Sequence, residues 1–449
     1  MAVFTKHPVS APPAAPVREK TRHLMLRAWC AFALFTAIAA SGWSELLGTV
    51  GLGILVTATG AISVVVWILA ARARDADDDR PRFAVRRLPW LALCYAAWAA
   101  VSILWSVWPD ATALTWYGLA VTTLVGLFLA SVLTWRELVR AIASALKWVL
   151  SLSLLLEAFV ALVLRHPLLP DDVTVPAKIP AELYWVRGNL FGTGRIQGIL
   201  GNSNLTAMVS MLAIVVFAIL IAAKAARRGW LIAWIVLAMF LLVRSSSATV
   251  YLAGAASAVV LGATLLMRRA RTPRARTQRY VLFAVIGVAG GILAWVYRDA
   301  IFTVLGRSGD ATGRGTIWAA VLERAWQRPV AGWGFSTPWL PWEPAIKGWI
   351  IDHHLTVFMA HSMWLDAFFQ LGFVGVVLLG LMYLAFIWRS WFFAVDRPRW
   401  DLVADRPYSP LTLLPILVAT LLLVQGLAES RPLMEWGWMF AVMLVFKIK

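Results

Sequence analysis

The sequence predicts an all-α polytopic membrane protein with about twelve transmembrane helices, and three observations carry that prediction. Of its 449 residues 61% are hydrophobic and only 14% are charged, whereas a soluble domain is nearer half apolar and about a quarter charged. The apolar residues gather in runs that approach or exceed the roughly 20 residues a helix needs to cross the hydrocarbon core. Those runs are continuous rather than short and alternating, which sets aside an outer-membrane barrel.

Taken in order, the runs between charged or Pro/Gly-rich breaks place spans near 24–41, 46–70, 88–107, 113–133, 141–164, 202–223, 229–243, 249–267, 280–297, 363–388, 410–428 and 432–446. Residues 1–22, rich in Pro and Ala, read as a disordered cytoplasmic tail, and 23–449 as a single transmembrane domain. The first run ends in AIAASG, which could mimic a signal-peptide cleavage site; the twelve-span plan needs it as a retained helix. Cys30 and Cys94 both fall inside spans, as small packing residues and not as a disulfide or thiolate cluster.

The net charge of +18 would suggest nucleic acid in a soluble protein. Its placement points elsewhere. Arg72, Arg74, Arg80, Arg82, Arg86 and Arg87 share one loop, and Arg268, Arg269, Arg271, Arg274, Arg276 and Arg279 share another. With an even number of spans and both termini cytoplasmic, both loops and most other Lys and Arg lie inside. The basic excess is therefore a topology signal, and no nucleic-acid partner is expected.

Two outer segments are too long for simple turns, about 165–201 and 298–362, the second directly before the tenth span. The second holds TIWAAVLERAWQRP, where Ile317, Trp318, Val321, Leu322 and Ala325 follow helical spacing, with Thr312 or Thr316 as N-cap and Pro329 beyond the end. Trp333, Trp339, Trp342 and Trp349 follow; they read first as interfacial anchors, and alternatively as platforms for sugar rings or a lipid tail.

The outer segments also carry Arg187, Arg195, Arg244, Arg307 and Arg314. Arg244 ends an apolar span in LLVRSSSATVY, where a cation is costly unless it snorkels or meets an anion. Guanidinium forks match phosphate oxygens, so the set suits a lipid-anchored diphosphate. In GRIQGILGNSNLTA, Asn202 or Asn204 can cap the following helix, whose N-terminus would favour an anion near Arg195. Among acids, Glu157 alone lies well inside a span, while Glu429 and Glu435 sit near an outer edge. His353, His354 and His361 lie just ahead of the tenth span, with Asp352 beside them. A metal site is conceivable there, yet no second acidic or Cys ligand has recognisable spacing. A general base at His361 is the stronger functional reading; no metal or cofactor is expected.

HSMWLDAFFQLGFVG presents His361, Ser362, nine residues, then Gly372 and Gly375. This resembles the His-[Asn/Ser/Gln]-x9-Gly-x-x-Gly signature of the bacterial O-antigen ligase family, which includes related oligosaccharide polymerases. Arg195 ahead of Gly-Asn-Ser-Asn, TGRGTIW at 312–318 and AGWGF at 331–335 are similar to further landmarks of that family, in the same order. The resemblance implies a fold akin to the multispanning glycosyltransferase class and an inverting, metal-independent transfer. Glycan would pass from an undecaprenyl diphosphate donor to a hydroxyl on a glycan or glycolipid acceptor. It implies His361 as base or acceptor-orienting group and Arg195 and Arg314 on the diphosphate. Arg244 would be a third contact, and Asn202, Asn204, His354 and Ser362 accessories. A repeat-unit polymerase shares this chemistry, and a lipid-linked-glycan transporter is the alternative of a different class.

Overall fold

The computed structural model describes residues 21–72, 85–170, 183–225, 227–297, 300, 314–352, 355–396 and 408–448. Within them run thirteen α-helices: α1 (Thr21–Ile38), α2 (Ala40–Arg72), α3 (Trp90–Val101), α4 (Pro109–Val132), α5 (Trp135–Phe159), α6 (Ser203–Ala222), α7 (Arg228–Ser245), α8 (Ala248–Arg268), α9 (Pro273–Val296), α10 (Arg314–Ala325), α11 (Met363–Val395), α12 (Leu414–Ala428) and α13 (Glu435–Lys447). Each of the twelve expected spans coincides with a helix, α1–α9 and α11–α13, and α10 is the helix expected in the second long segment. Among the described residues eight helices are long and apolar enough to cross a membrane, with α1 and α3 among the shorter apolar ones. The chain is an all-α multi-pass membrane protein. The tail expected at 1–22 lies outside the described residues up to Thr21, where α1 begins.

Packing explains which helices are central. Every residue of α13 from Trp436 to Phe446 is buried, α13 lies along α4, and Trp438 Nε1 donates to Thr123 Oγ1 at 2.8 Å. Around this pair α6 packs on α7, α12 on α8 and α11, α1 on α5, and α11 on α3. By contrast α9 exposes Val281, Leu282, Val285, Ile286 and Val288, and α2 exposes Val50, Ile54 and Val65. On a soluble protein such faces would drive aggregation; against lipid tails they carry no penalty. Thr134 begins α5 with a reciprocal cap to Glu137, and Thr272 caps α9 at Ala275 N.

One break in helix geometry shapes one end of the bundle. Gly372 sits inside α11 at φ 65°, a left-handed conformation that side chains resist. The kink frees backbone groups of α11 for the loop that precedes it. Phe373 N donates to Pro329 O (2.7 Å) and Val374 N to Val330 O (3.3 Å). In return Trp333 N donates to Phe369 O (3.1 Å) and Gly334 N to Gln370 O (2.9 Å). The Gln370 side chain accepts from Ser336 N (2.9 Å) and Thr337 Oγ1 (2.7 Å). From the other side, Trp105 Nε1 donates to Ala331 O and Trp108 Nε1 to Gly334 O, each at 3.1 Å. The AGWGF stretch and the first glycine of the His signature are thus two halves of one joint.

That joint carries a second apolar core, separate from the bundle's, which includes Trp108, Ile317, Val321, Trp339, Ile350 and Phe369. Three of the four tryptophans expected as interfacial anchors, Trp333, Trp339 and Trp349, lie in it or pack against it. Trp339 is 1% exposed and stacks on Trp349 with centroids 5.3 Å apart. The Arg324 guanidinium lies 4.5 Å from the Trp349 ring and 4.9 Å from that of Trp333. Trp342, by contrast, stays exposed. The anchor reading fails for the others because a cap above the bundle gives them a protein interior to fill. Helix α10 starts at Arg314, so Thr316 lies within it and does not cap it; Thr312 is outside the described residues.

Candidate active site

The approach to α6 is fixed from below by α5. The Glu157 carboxylate, fully buried, accepts from Gln197 N (2.7 Å) and Gly198 N (2.8 Å), while Ser153 Oγ accepts from Ile199 N (3.2 Å). Asn202 then caps α6, its side chain accepting from Asn204 N and Leu205 N, as its sequence position predicted.

Arg195 sits on this approach. Its Nε donates to Ser245 O and an Nη to Asn204 Oδ1, both at 2.7 Å. Arg244, one residue before Ser245, takes a different set of partners. Its Nη2 donates to the carbonyls of Asn189 (2.6 Å), Gly192 (2.6 Å) and Gly194 (3.3 Å). Backbone carbonyls thus engage Nη2 of a cation placed close to hydrocarbon, and they tie the end of α7 to the loop that leads into Arg195.

On the opposite side stands α10. Arg314 and Trp318 are four residues apart and share a face. The Arg314 side chain, buried, donates to Glu429 Oε1 at 2.9 Å. Trp318 Nε1 donates to Ala360 O at 3.0 Å. Ala360 N donates to the buried Asp366 at 3.3 Å, so both polar groups of Ala360 are held. The next residue, His361, is forced to φ 51°, a value unusual for a side chain with a Cβ. Ser362 follows, buried, at the start of α11.

Glu429, at the C-terminal end of α12, joins these parts. Its Oε1 accepts from Arg314 and from Asn204 Nδ2 (3.0 Å), and its Oε2 lies 3.5 Å from His361 Nδ1. Burial by itself would raise this carboxyl, yet His361, Arg314 and Arg431 hold it below the ordinary carboxylate value. Arg431 itself forms a two-pronged ion pair with Glu435, at 2.9 and 3.0 Å. Of the expected residues, then, Arg195, Asn204, Arg314 and His361 meet around one carboxylate. Asn202 and Ser362 form the helix starts that present two of them, and Arg244 braces the loop behind. His354 and Arg307 lie outside the described residues. Glu429 was noted in the sequence only as an edge residue; the acid at the exit of a span with Arg431 two residues on was its one signal.

Beside the cluster opens a cavity of about 750 Å³ between α1, α2 and α4. Its lining includes Ala37, Gly53 and Gly118 on those helices, and also Arg431 and Phe358. Phe358 and Arg431 stand three and two residues along the chain from His361 and Glu429. Among the described residues no group of three or more His, Cys, Asp or Glu is arranged to hold a metal. The arrangement offers guanidinium groups for an anion, an imidazole for a proton, and an apolar slot beside both.

No curated protein matches the chain. Residues 231–380 do match the family model described as O-Antigen ligase, a stretch that contains Arg244, Arg314, His361 and both glycines of the signature but neither Arg195 nor Glu429. Across that stretch the chain is similar to the O-antigen ligase family, the one its motifs resemble.

Proposed function

We propose that this protein transfers glycan from undecaprenyl diphosphate to an acceptor hydroxyl at the outer face of the bacterial cytoplasmic membrane. The observation that carries the reading is the convergence of Arg314, Asn204 and His361 on Glu429, with Arg195 one hydrogen bond behind. In this reading His361 takes the proton of the acceptor hydroxyl as its oxygen bonds to the anomeric carbon. The bond from that carbon to the phosphate oxygen breaks, and its electron pair leaves on the diphosphate. Arg195 and Arg314 offset the growing charge, and one displacement inverts the anomeric centre. The donor brings its own leaving group, so neither nucleotide nor metal enters the scheme. Arg244 contributes through the 189–194 loop, where its Nη2 is engaged. The undecaprenyl chain has a slot in the cavity beside α2 and α4. Membrane lipids and a glycan or glycolipid acceptor complete the set of partners.

A repeat-unit polymerase would use the same groups, and product length on a gel separates the two. A transporter is disfavoured by Glu157: the acid that lies deep in a span is bonded to two backbone amides and is not poised to move an ion.

The test is transfer by purified, reconstituted protein on a lipid-diphosphate oligosaccharide pool with EDTA present, following lipid diphosphate release. Wild type should release it, and His361→Ala and Arg314→Ala should each fall by at least about a hundredfold while staying folded. An inactive wild type, or a His361→Ala protein of full activity, would overturn the reading.

A further inference from the structure

We propose that Glu429 is an internal stand-in for phosphate, which holds the arginine side of the site before substrate binds and passes to His361 when a diphosphate takes its place. The role is that of a positioning residue, acting through the histidine. The geometry is lopsided in the way such an exchange requires. Toward the cations the carboxylate makes short contacts, 2.9 Å from Arg314 and 3.0 Å from Asn204, whose own oxygen takes Arg195 at 2.7 Å. Toward the histidine its other oxygen stops at 3.5 Å from Nδ1, outside the usual hydrogen-bond range of about 2.7–3.2 Å. Nδ1 is enclosed and has no hydrogen-bond partner among the described residues.

A phosphate oxygen and a carboxylate oxygen compete for the same guanidinium edge, and both accept from an amide N–H. Phosphate bound at Arg314 and Arg195 therefore displaces Glu429 from its short partners. Arg431 is the weaker alternative for the carboxylate, since its Nη1 is already shared between both oxygens of Glu435 at 2.9 and 3.0 Å. The donor left to it is His361 Nδ1–H, a few tenths of an ångström out of reach. A carboxylate on Nδ1 fixes the tautomer, leaves Nε2 as the acceptor and makes it more basic. The base is then strengthened only once the leaving group is in place. Its role as base rests on the function proposed above; the exchange of anions does not.

The experiment compares wild type, Glu429→Gln and Glu323→Gln for binding of inorganic pyrophosphate and of undecaprenyl diphosphate by calorimetry, and for turnover of a lipid-diphosphate donor. Glu429→Gln keeps the shape and removes the competing charge. It should bind both probes at least about fivefold tighter, a modest coupling between two sites, and turn over at least about tenfold more slowly. A residue that merely braced the fold would weaken both. Glu323→Gln removes an equal charge from the exposed side of α10 without touching Arg314 or Arg431, and should leave pyrophosphate binding near the wild-type value. Equal tightening in Glu323→Gln, or unchanged or weaker binding in folded Glu429→Gln, overturns the exchange. So does tightening for the lipid probe alone, which would place the competition at the chain and not at the phosphate. If wild type transfers no glycan but Glu429→Gln still binds pyrophosphate tighter, the exchange stands and the glycosyltransferase reading falls. Should the Gln protein not fold, wild type labelled with ¹⁵N-histidine decides. Pyrophosphate must shift an imidazole resonance that His361→Asn lacks; no shift overturns the proposal.

Discussion

A carboxylate buried among cations titrates with a sign that can be stated beforehand. Glu429 is desolvated, which favours the neutral acid, but His361, Arg314 and Arg431 outweigh that and keep it ionised below the ordinary value. Its folded pKa thus lies below its unfolded pKa of about 4.3. The stability it adds is fully present above the unfolded value and is lost as pH falls through the folded one. Melting curves in detergent should therefore show wild type losing stability below about pH 4 more steeply than Glu429→Gln; parallel curves would mean that the carboxylate is not held by its cations. A second residue-scale prediction concerns Arg244 and Glu157, which secure the 189–201 approach from two sides. Arg244→Ala and Glu157→Gln should share one phenotype, a donor KM raised by about ten- to a hundredfold as Arg195 loses its position. A fall in kcat at constant KM for Arg244→Ala would instead place Arg244 on the reacting atoms. The sequence made Arg195, Arg314, Asn204 and His361 legible because each stands in a short motif at the edge of an apolar run. It could not show what Arg244 holds, since phosphate oxygens and backbone carbonyls accept equally from a guanidinium. Glu429 was hidden for another reason. Its partner Arg314 is 115 residues away in sequence, and tertiary packing is what joins them.

Among elements, the spans were the easiest to foresee, because a run of apolar residues that must satisfy its own backbone in lipid has one solution. The outer cap was harder. A tryptophan at a membrane interface and one under a lid look alike in sequence, each needing an apolar bed and one acceptor, and Trp333 finds its acceptor at Arg324 O, 2.8 Å away. The joint at Gly372 was visible as a motif but not as a mechanism. It lets α11 begin at His361's level, bend, and bond to 329–334 at four backbone positions. Any side chain at 372 adopts a left-handed backbone at about 1–2 kcal/mol, and its Cβ would also collide with the Val330 carbonyl. Gly372→Ala should therefore lower the melting temperature and reduce transfer together. Gly380→Ala, on the same helix with ordinary geometry and only Trp364 nearby at 3.9 Å, should do neither. Equal effects from the two would show that the joint is not what presents His361.

At the scale of the whole molecule, the site is gathered from helix ends that alternate along the chain. The N-terminal ends of α6, α10 and α11 meet the C-terminal ends of α7 and α12. Helices that cross in opposite directions can share residues only if those ends lie on one side of the membrane, so the cluster around Glu429 has a definite side. Charge then suggests which. Arg72 at the end of α2, Arg86 and Arg87 before α3, and Arg268, Arg269 and Arg271 between α8 and α9 lie at the other ends of the bundle, and such clusters stay in the cytoplasm. The site should accordingly face outward, where a lipid-linked glycan would meet its acceptor. Thiol labelling can decide this, because the chain has two cysteines, Cys30 buried and Cys94 exposed, and both can be replaced by Ala. Into that background go Trp342→Cys, on the cap and 53% exposed, and Arg86→Cys, exposed between α2 and α3. A membrane-impermeant maleimide applied to intact spheroplasts should label the cap cysteine at once and the loop cysteine only after the membrane is opened. The opposite pattern would put His361 and its arginines in the cytoplasm. Transfer on the outer face would then be impossible, whatever the chemistry of the cluster.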